Sequence, residues 1–272
     1  MHTMLSIIGF GEAGSSFSAA AGWGACARAF DVRPVDFADV SGCGTLAEAV
    51  ESTPVIISVV TAEASVEVAH QVAQHLERDA FYFDCNSVSP ESKRTAASVI
   101  EAVGGHYIDT AVMAPVNPQL MAVPLLLAGA EAEAGSVILA NLGFTSIRVV
   151  GDEVGRAATI KMLRSVMYKG VEALTAECLL ACERAGVTDE VLASFGNDWA
   201  TNADYRLDRM LVHGLRRAAE MDHSAETLSE LGISPLLTEG TVQWQQVLGD
   251  FSLNPPPAGL RAKLAEILRK MP

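Results

Sequence analysis

In the first half of the chain, short apolar runs alternate with stretches of helical spacing. Met4 to Gly9 and Cys26 to Phe30 are β-type runs, the second closing at Asp31. Val55 to Val60 is continuously apolar, as expected of a strand buried on both faces. Further strands are expected at Ala80 to Asp84, His106 to Ala111, Leu125 to Ala128 and Ser146 to Val149. Gly11 to about Gly24, Thr45 to Glu51 and Ala64 to Leu76 carry helical spacing, as does the stretch between the last two strands. Ser89-Pro90-Glu91 is a helix start, since a serine oxygen accepts a first-turn N–H and proline fits the first helical position. Strands that alternate with helices imply βαβ units and a mainly parallel sheet.

Near Gly155 the pattern changes. From Arg156 to Arg184 there is no proline and one glycine, Gly170, which predicts a single helix well above average length. Asp189 to Asn197, Trp199 to Glu220, Ala225 to Leu231, Pro235 to Val247 and Gly259 to Lys270 also read as helices. The expected fold class is therefore α/β. A Rossmann-type doubly wound parallel sheet over residues 1–155 is followed by an all-α domain over 156–272, read as a substrate and dimerisation domain. Two domains suit a chain of 272 residues, at roughly 100–200 residues each.

Charge narrows the partners. Lys and Arg number 19 against 33 Asp and Glu, a formal net charge of −14, so phosphate backbones and anionic lipid surfaces are repelled. Neither nucleic acid nor membrane is expected as a partner, and no apolar stretch reaches the roughly 18 residues of a membrane helix. The opening Met1 to Gly9 lacks a basic segment and reads as a first strand, not a secretion signal. Five cysteines (Cys26, Cys43, Cys85, Cys178 and Cys182) form no paired framework, which points to a reducing, cytoplasmic compartment. Cys178 and Cys182, four apart, read as packing residues, and no metal cluster is visible.

Gly9-Phe10-Gly11-Glu12-Ala13-Gly14 matches G-x-G-x-x-G directly after a strand and at the opening of a helix. The first glycine makes the tight turn, the second lets backbone approach a diphosphate, and the third lets helix and strand pack closely. The diphosphate would rest on N–H groups at the helix start. Asp31, about 20 residues on, ends the second strand where a carboxylate can hold ribose hydroxyls. Its charge favours NAD over NADP; Arg33, two residues later, is the one feature suited to the extra phosphate of NADP. Val60 and Asn86 are placed beside the same dinucleotide.

These residues carry a resemblance. The chain resembles the β-hydroxyacid dehydrogenases, the group of 3-hydroxyisobutyrate dehydrogenase and 6-phosphogluconate dehydrogenase, over most of its length. Gly9 to Gly14 matches the nucleotide fingerprint, and Asp84-Cys85-Asn86-Ser87-Val88-Ser89-Pro90 is similar to the D-x-S-T-x-x-P segment beside the nicotinamide. Tyr107 to Pro115 resembles the substrate segment D-A-P-V-S-G-G. Gly155 to Lys161 with Arg164 and Ser165 resembles G-x-G-x-x-x-K-x-x-N-N, which carries the catalytic lysine. Departures mark a divergent branch. Met113, Ala114 and Pro115 stand where the family has a serine and paired glycines, Ala157 replaces the second glycine, and Arg164-Ser165 replaces two asparagines. The resemblance also implies a homodimer or higher homo-oligomer.

Lys161 is the candidate catalytic group. A partly buried ammonium has its pKa lowered toward neutrality and then exchanges a proton with an alcohol as hydride moves. Arg164 and Ser165, three and four positions on, share its helix face, and Arg164 suits a carboxylate bidentately. Asn86 and Ser87 follow a strand end, where open α/β sheets bind ligands. Met113 reads either as an apolar wall of the substrate pocket or as plain core; His213 reads either as a structural residue or as a site residue supplied by the helical domain or a dimer partner. Lys169 is read as a solvated surface residue, and Arg216, Arg217 and Glu220 as i,i+3 and i,i+4 pairs on one helix. The reading is an NAD(P)-dependent dehydrogenase that oxidises a small hydroxyacid reversibly. An imine or ketone reductase of the same architecture and a non-catalytic NAD-binding sensor are the alternatives.

Overall fold

The computed structural model describes residues 4–196 and 198–271. The chain divides into two compact units, Met1–Lys161 and Met162–Pro272.

The first unit holds strands β1 (Leu5–Ile8), β2 (Ala27–Phe30), β3 (Ser41–Gly42), β4 (Val55–Ser58), β5 (Phe81–Asp84), β6 (His106–Val112), β7 (Leu125–Ala128) and β8 (Ile147–Gly151). They form one sheet in the order β3-β2-β1-β4-β5-β6-β7-β8. Every pairing is parallel except β6 with β7. The twelve residues between those strands hold only a four-residue and a three-residue helical turn, so no full helix lies across the sheet to return β7 parallel. The two-residue edge strand β3 is too short to leave a period in the sequence.

Helices cover both faces. They are α1 (Glu12–Ala21), α2 (Leu46–Val50), α3 (Ser65–Ala73), α4 (Pro90–Ala102), the short α5 (Val116–Gln119) and α6 (Ala132–Asn141). Successive strand residues point to opposite faces, and two cores result. Ile57 and Phe83 join Phe17 of α1 and Leu139 of α6, whereas Ile56 and Tyr82 join Val50, Val72 and Ile100 of α2, α3 and α4. This is the doubly wound α/β arrangement that continuous apolar strands require. Tight turns close it, and among them Glu48 completes a capping box with Thr45 at the start of α2.

Helix α7 (Arg156–Ala185) is 30 residues long, and its first turns belong to the first unit. Ala157 there is fully buried against Ala111, Leu126 and Ala128, so its methyl group is core.

The second unit is helical: the rest of α7, then α8 (Thr188–Phe195), α9 (Trp199–Glu230), α10 (Leu236–Asp250) and α11 (Leu260–Lys270). Its core joins Leu179 and Leu180 of α7 with Leu207, Met210 and Leu211 of α9, Leu248 of α10, and Leu264 and Ile267 of α11. Asn197, where one helix was expected to end, lies outside the described residues. The two helices expected at Trp199 to Glu220 and Ala225 to Leu231 are one continuous helix of 32 residues. Met221 and Ser224 are buried there, so packing holds the polar stretch 221–224 in the helix, and Ser224 Oγ donates back to the Glu220 carbonyl at 3.2 Å. At Gly214 a Cβ would lie 2.3 Å from the Gln245 carbonyl oxygen, and at Gly249 2.5 Å from the Leu215 nitrogen; α9 and α10 cross backbone to backbone.

Two side chains depart from the expected surface arrangement. Lys169 is buried, with Nζ 2.6 Å from Glu220 Oε2, because its position on α7 meets a carboxylate on α9. Burial pulls its pKa down, and Glu220 partly offsets the fall. Arg216 does pair with Glu220 at 2.9 Å, but Arg217 turns from its own helix to Glu172 of α7, which also accepts from Gln245 at 3.0 Å. The salt-bridge face is therefore partly a buried interhelical network.

Candidate functional site

The C-terminal ends of β1, β2, β4, β5 and β6 lie on one edge of the sheet, and most of the singled-out residues of the first unit follow them. After β1 the chain turns at Gly9 with φ +92°, where a Cβ would sit 2.7 Å from the Val59 carbonyl oxygen. At Gly14 a Cβ would lie 2.4 Å from the Gly9 carbonyl oxygen, so α1 packs against the turn only because the side chain is a hydrogen. Gly11 is different. Beside it a Cβ would meet only the Arg33 guanidinium, at 3.4 Å, so the loop is open on that side. Gly11 is also the N-cap of α1 and offers no side-chain cap to the first-turn N–H groups, which therefore call for an outside acceptor.

The rest of the loop faces inward or grips Asp31. Phe10 is buried with its ring 5.3 Å from that of Phe37, and Ala13 packs on the same core, while Glu12 is exposed. Asp31 Oδ2 accepts the Phe10 N–H at 2.8 Å; Oδ1 accepts the Arg33 N–H at 2.9 Å and Nε at 3.4 Å. Burial pushes this carboxyl up, but the N–H bonds from Arg33 and Phe10 and the guanidinium together hold it below the ordinary carboxylate range. Val60 is half-buried beside Gly9. A diphosphate fits this arrangement: uncapped N–H groups at a helix start, glycine clearance above them, and a charged carboxylate and guanidinium at the end of β2.

At the end of β5 lies a denser set. Asn86 is buried; its N–H reaches Asp84 Oδ1 at 2.9 Å, and its side-chain amide donates to Ser58 at 3.0 Å and Ser65 at 3.2 Å. Its Oδ1 is buried with no hydrogen-bond partner. Ser87 Oγ accepts from Lys161 Nζ at 2.5 Å, which ties the β5 loop to α7. Ser89 accepts the Ser92 N–H at 3.3 Å and is the α4 cap. Cys85 lies half-buried inside the cluster, and burial pushes its thiol up to about 12. Met113 packs on the core formed by Ala111, Leu126, Ala128 and Ala157.

Arg164, Ser165 and His213 belong to the second unit. The Arg164 guanidinium stacks 4.3 Å over the ring of Tyr168, one turn along α7. Ser165 and His213 are half-buried.

Lys93 escapes a reading of motifs. It is 1% exposed and bonds the Asp84 carbonyl oxygen at 2.6 Å, with Asp84 Oδ1 at 3.0 Å and Asp109 Oδ1 at 3.7 Å. A signal existed: the buried face of α4 is Pro90, Lys93, Ala96, Ala97 and Ile100, and a lysine on an apolar stripe implies a buried partner.

Residues 5–144 match the model of the NAD binding domain of 6-phosphogluconate dehydrogenase, and residues 182–248 match a domain of unknown function, DUF1932. A conserved hypothetical protein from Sinorhizobium meliloti 1021 is 34% identical, with 100% of this chain and 97% of that one covered and a TM-score of 0.77. The fold also matches a 3-hydroxyisobutyrate dehydrogenase of Mycobacterium tuberculosis at 18% identity, TM-score 0.73, with 99% and 100% covered. An imine reductase from Aspergillus terreus matches at 19% identity, TM-score 0.55, with 98% and 99% covered. Among the described residues no helix is long and apolar enough to cross a membrane, and no group of three or more His, Cys, Asp or Glu is placed to hold a metal ion.

Proposed function

Because the chain belongs to the β-hydroxyacid dehydrogenase superfamily, we propose that it is a nicotinamide-dependent oxidoreductase that reversibly oxidises a β-hydroxyacid-like alcohol. The observation that carries this reading is the 2.5 Å contact of Lys161 with Ser87, on the same edge of the sheet as the open glycine loop. In this reading the α1 N–H groups take the diphosphate and Asp31 takes ribose hydroxyls, with Val60 and Asn86 lining the site. The cofactor, when bound, supplies the hydride acceptor. Lys161 supplies the proton chemistry: its neutral amine accepts the proton of the substrate hydroxyl, and its ammonium returns it in reduction. Ser87 holds the Nζ in place for that transfer. Met113, on the same unit, is a further apolar contact for the substrate.

The Asp31 carboxylate favours NAD. NADP is the second reading for the cofactor, since the Arg33 guanidinium overhangs Gly11. The test of mechanism is Lys161→Ala assayed on a hydroxyacid panel. Turnover is expected to fall about 100-fold or more with cofactor affinity within about twofold; near-normal turnover would remove Lys161 from the chemistry.

One observation favours a second activity. Met113, Ala114 and Pro115 replace the hydroxyl and N–H groups that hold a carboxylate in the resembled segment, which suits a substrate without that group, such as an imine or ketone. Turnover of imines with reduced cofactor, and none of hydroxyacids with oxidised cofactor, would select it.

A further inference from the structure

Asp84, Lys93 and Asp109 are each at most 1% exposed, on three different elements of the first unit. Two carboxylates and one ammonium so deep in a sheet domain face a desolvation cost that mutual attraction seldom exceeds, so stability alone is a poor reason for them. Their connections give a better one. Asp84 ends β5 and accepts the Asn86 N–H at 2.9 Å and the Tyr107 hydroxyl at 2.6 Å, which fixes the start of the loop that carries Ser87. Asp109, on β6, accepts the N–H groups of Gly155 at 3.0 Å and Ala158 at 3.1 Å, which fixes the start of the helix that carries Lys161. Lys93 Nζ lies between the two carboxylates and also donates to the Asp84 carbonyl oxygen. Removing it would leave two neighbouring carboxylates in a dry interior, where like charges repel and the pair must separate or take up a proton.

We propose that Lys93 is a positioning residue: by holding Asp84 and Asp109 together it sets the Ser87 loop against α7 and so fixes the hydrogen bond from Lys161 to Ser87. The catalytic meaning of this clamp rests on the proton-transfer role proposed for Lys161, but the clamp itself is testable without turnover. Lysines are few (Lys93, Lys161, Lys169, Lys263 and Lys270), so after reductive methylation with ¹³C-formaldehyde their NMR signals are separable. The methylated amine keeps its charge and an N–H, and Lys161 is assigned with Lys161→Arg.

The sign of the shift separates positioning from plain electrostatics. Loss of the cation at position 93, by charge alone, raises the Lys161 midpoint, because a like charge has gone. Loss of the Ser87 bond lowers it, because an acceptor for the ammonium has gone. Lys93→Met is expected to lower the midpoint by about half a unit or more, as Ser87→Ala does, and the double variant to move it no further. A midpoint that rises or stays put in Lys93→Met, or effects that simply add, would overturn the proposal. If Lys93→Met fails to fold, Asp109→Asn takes its place, since its amide oxygen still accepts at the start of α7. The same non-additivity with Ser87→Ala is then expected, and additivity overturns the clamp. Normal turnover in Lys161→Ala would instead remove the proton-transfer role and leave the clamp standing, so the two failures are distinct.

Discussion

Asp31 serves two ends at once. Its carboxylate takes N–H groups from Phe10 and Arg33 and so braces the glycine loop from within, while it remains charged toward whatever the loop binds. Its folded pKa is held below the unfolded value. The sign follows directly: the ionised form stabilises the fold above the unfolded pKa, and that contribution is lost as pH falls through the folded one. Asp31→Asn keeps one acceptor and has no titration. The Tm gap between the parent and Asp31→Asn is therefore expected to narrow between about pH 5 and pH 3, checked by calorimetry across that range. At neutral pH the same variant is expected to bind the nicotinamide dinucleotide more weakly, because the carboxylate proposed to hold the ribose and one loop contact are altered together.

At the scale of elements, α9 and α10 meet through two glycines where any other residue would strike backbone. Backbone does not yield as a side chain end does, so Gly214→Ala is expected to cost about 1–3 kcal/mol. That corresponds to a fall of roughly 2–4 °C in Tm per kcal/mol for a chain of this size. Cofactor affinity, a property of the first unit, is expected to stay within about twofold, measured by fluorescence titration of reduced cofactor. A large loss of affinity without a loss of stability would contradict this assignment of the Gly214 contact to helix packing. Helix α4 teaches the complementary lesson. Its motif-bearing start reads plainly as Ser89-Pro90, yet its buried lysine meets carboxylates on the flanking strands β5 and β6, and no local rule names those partners.

The whole molecule combines a net charge of −14 with apolar residues left on the helical unit. Met167 and Leu174 on α7 are 66% and 65% exposed, seven positions apart and so on one helix face; Leu236 and Leu237 at the start of α10 are 75% and 87% exposed. We propose that these residues are covered by a second copy of the chain, with the acidic surface elsewhere preventing indiscriminate association. Equilibrium sedimentation at micromolar concentration is expected to give a multiple of 28.7 kDa. A single species at 28.7 kDa would sink this, and Met167→Glu is expected to shift a genuine assembly toward the monomer.

The local pattern of side chains was sufficient to define the alternating strands, the glycine turn, Asp31 at the end of β2, the cap at Ser89 and the long α7. Each of these depends on neighbours within a few residues, where period, turn chemistry and capping act directly. It also placed Lys161 and Ser87 on separate segments, 74 positions apart, without showing that they bond. Tertiary structure alone decided that contact, the reversal of β7, the fusion of two expected helices into α9, the burial of Lys169, and the union of Asp84, Lys93 and Asp109. The physical reason is common to all of them. A charge, a helix start or a strand edge is satisfied by whatever the fold brings beside it, and that partner lies beyond the reach of local periodicity.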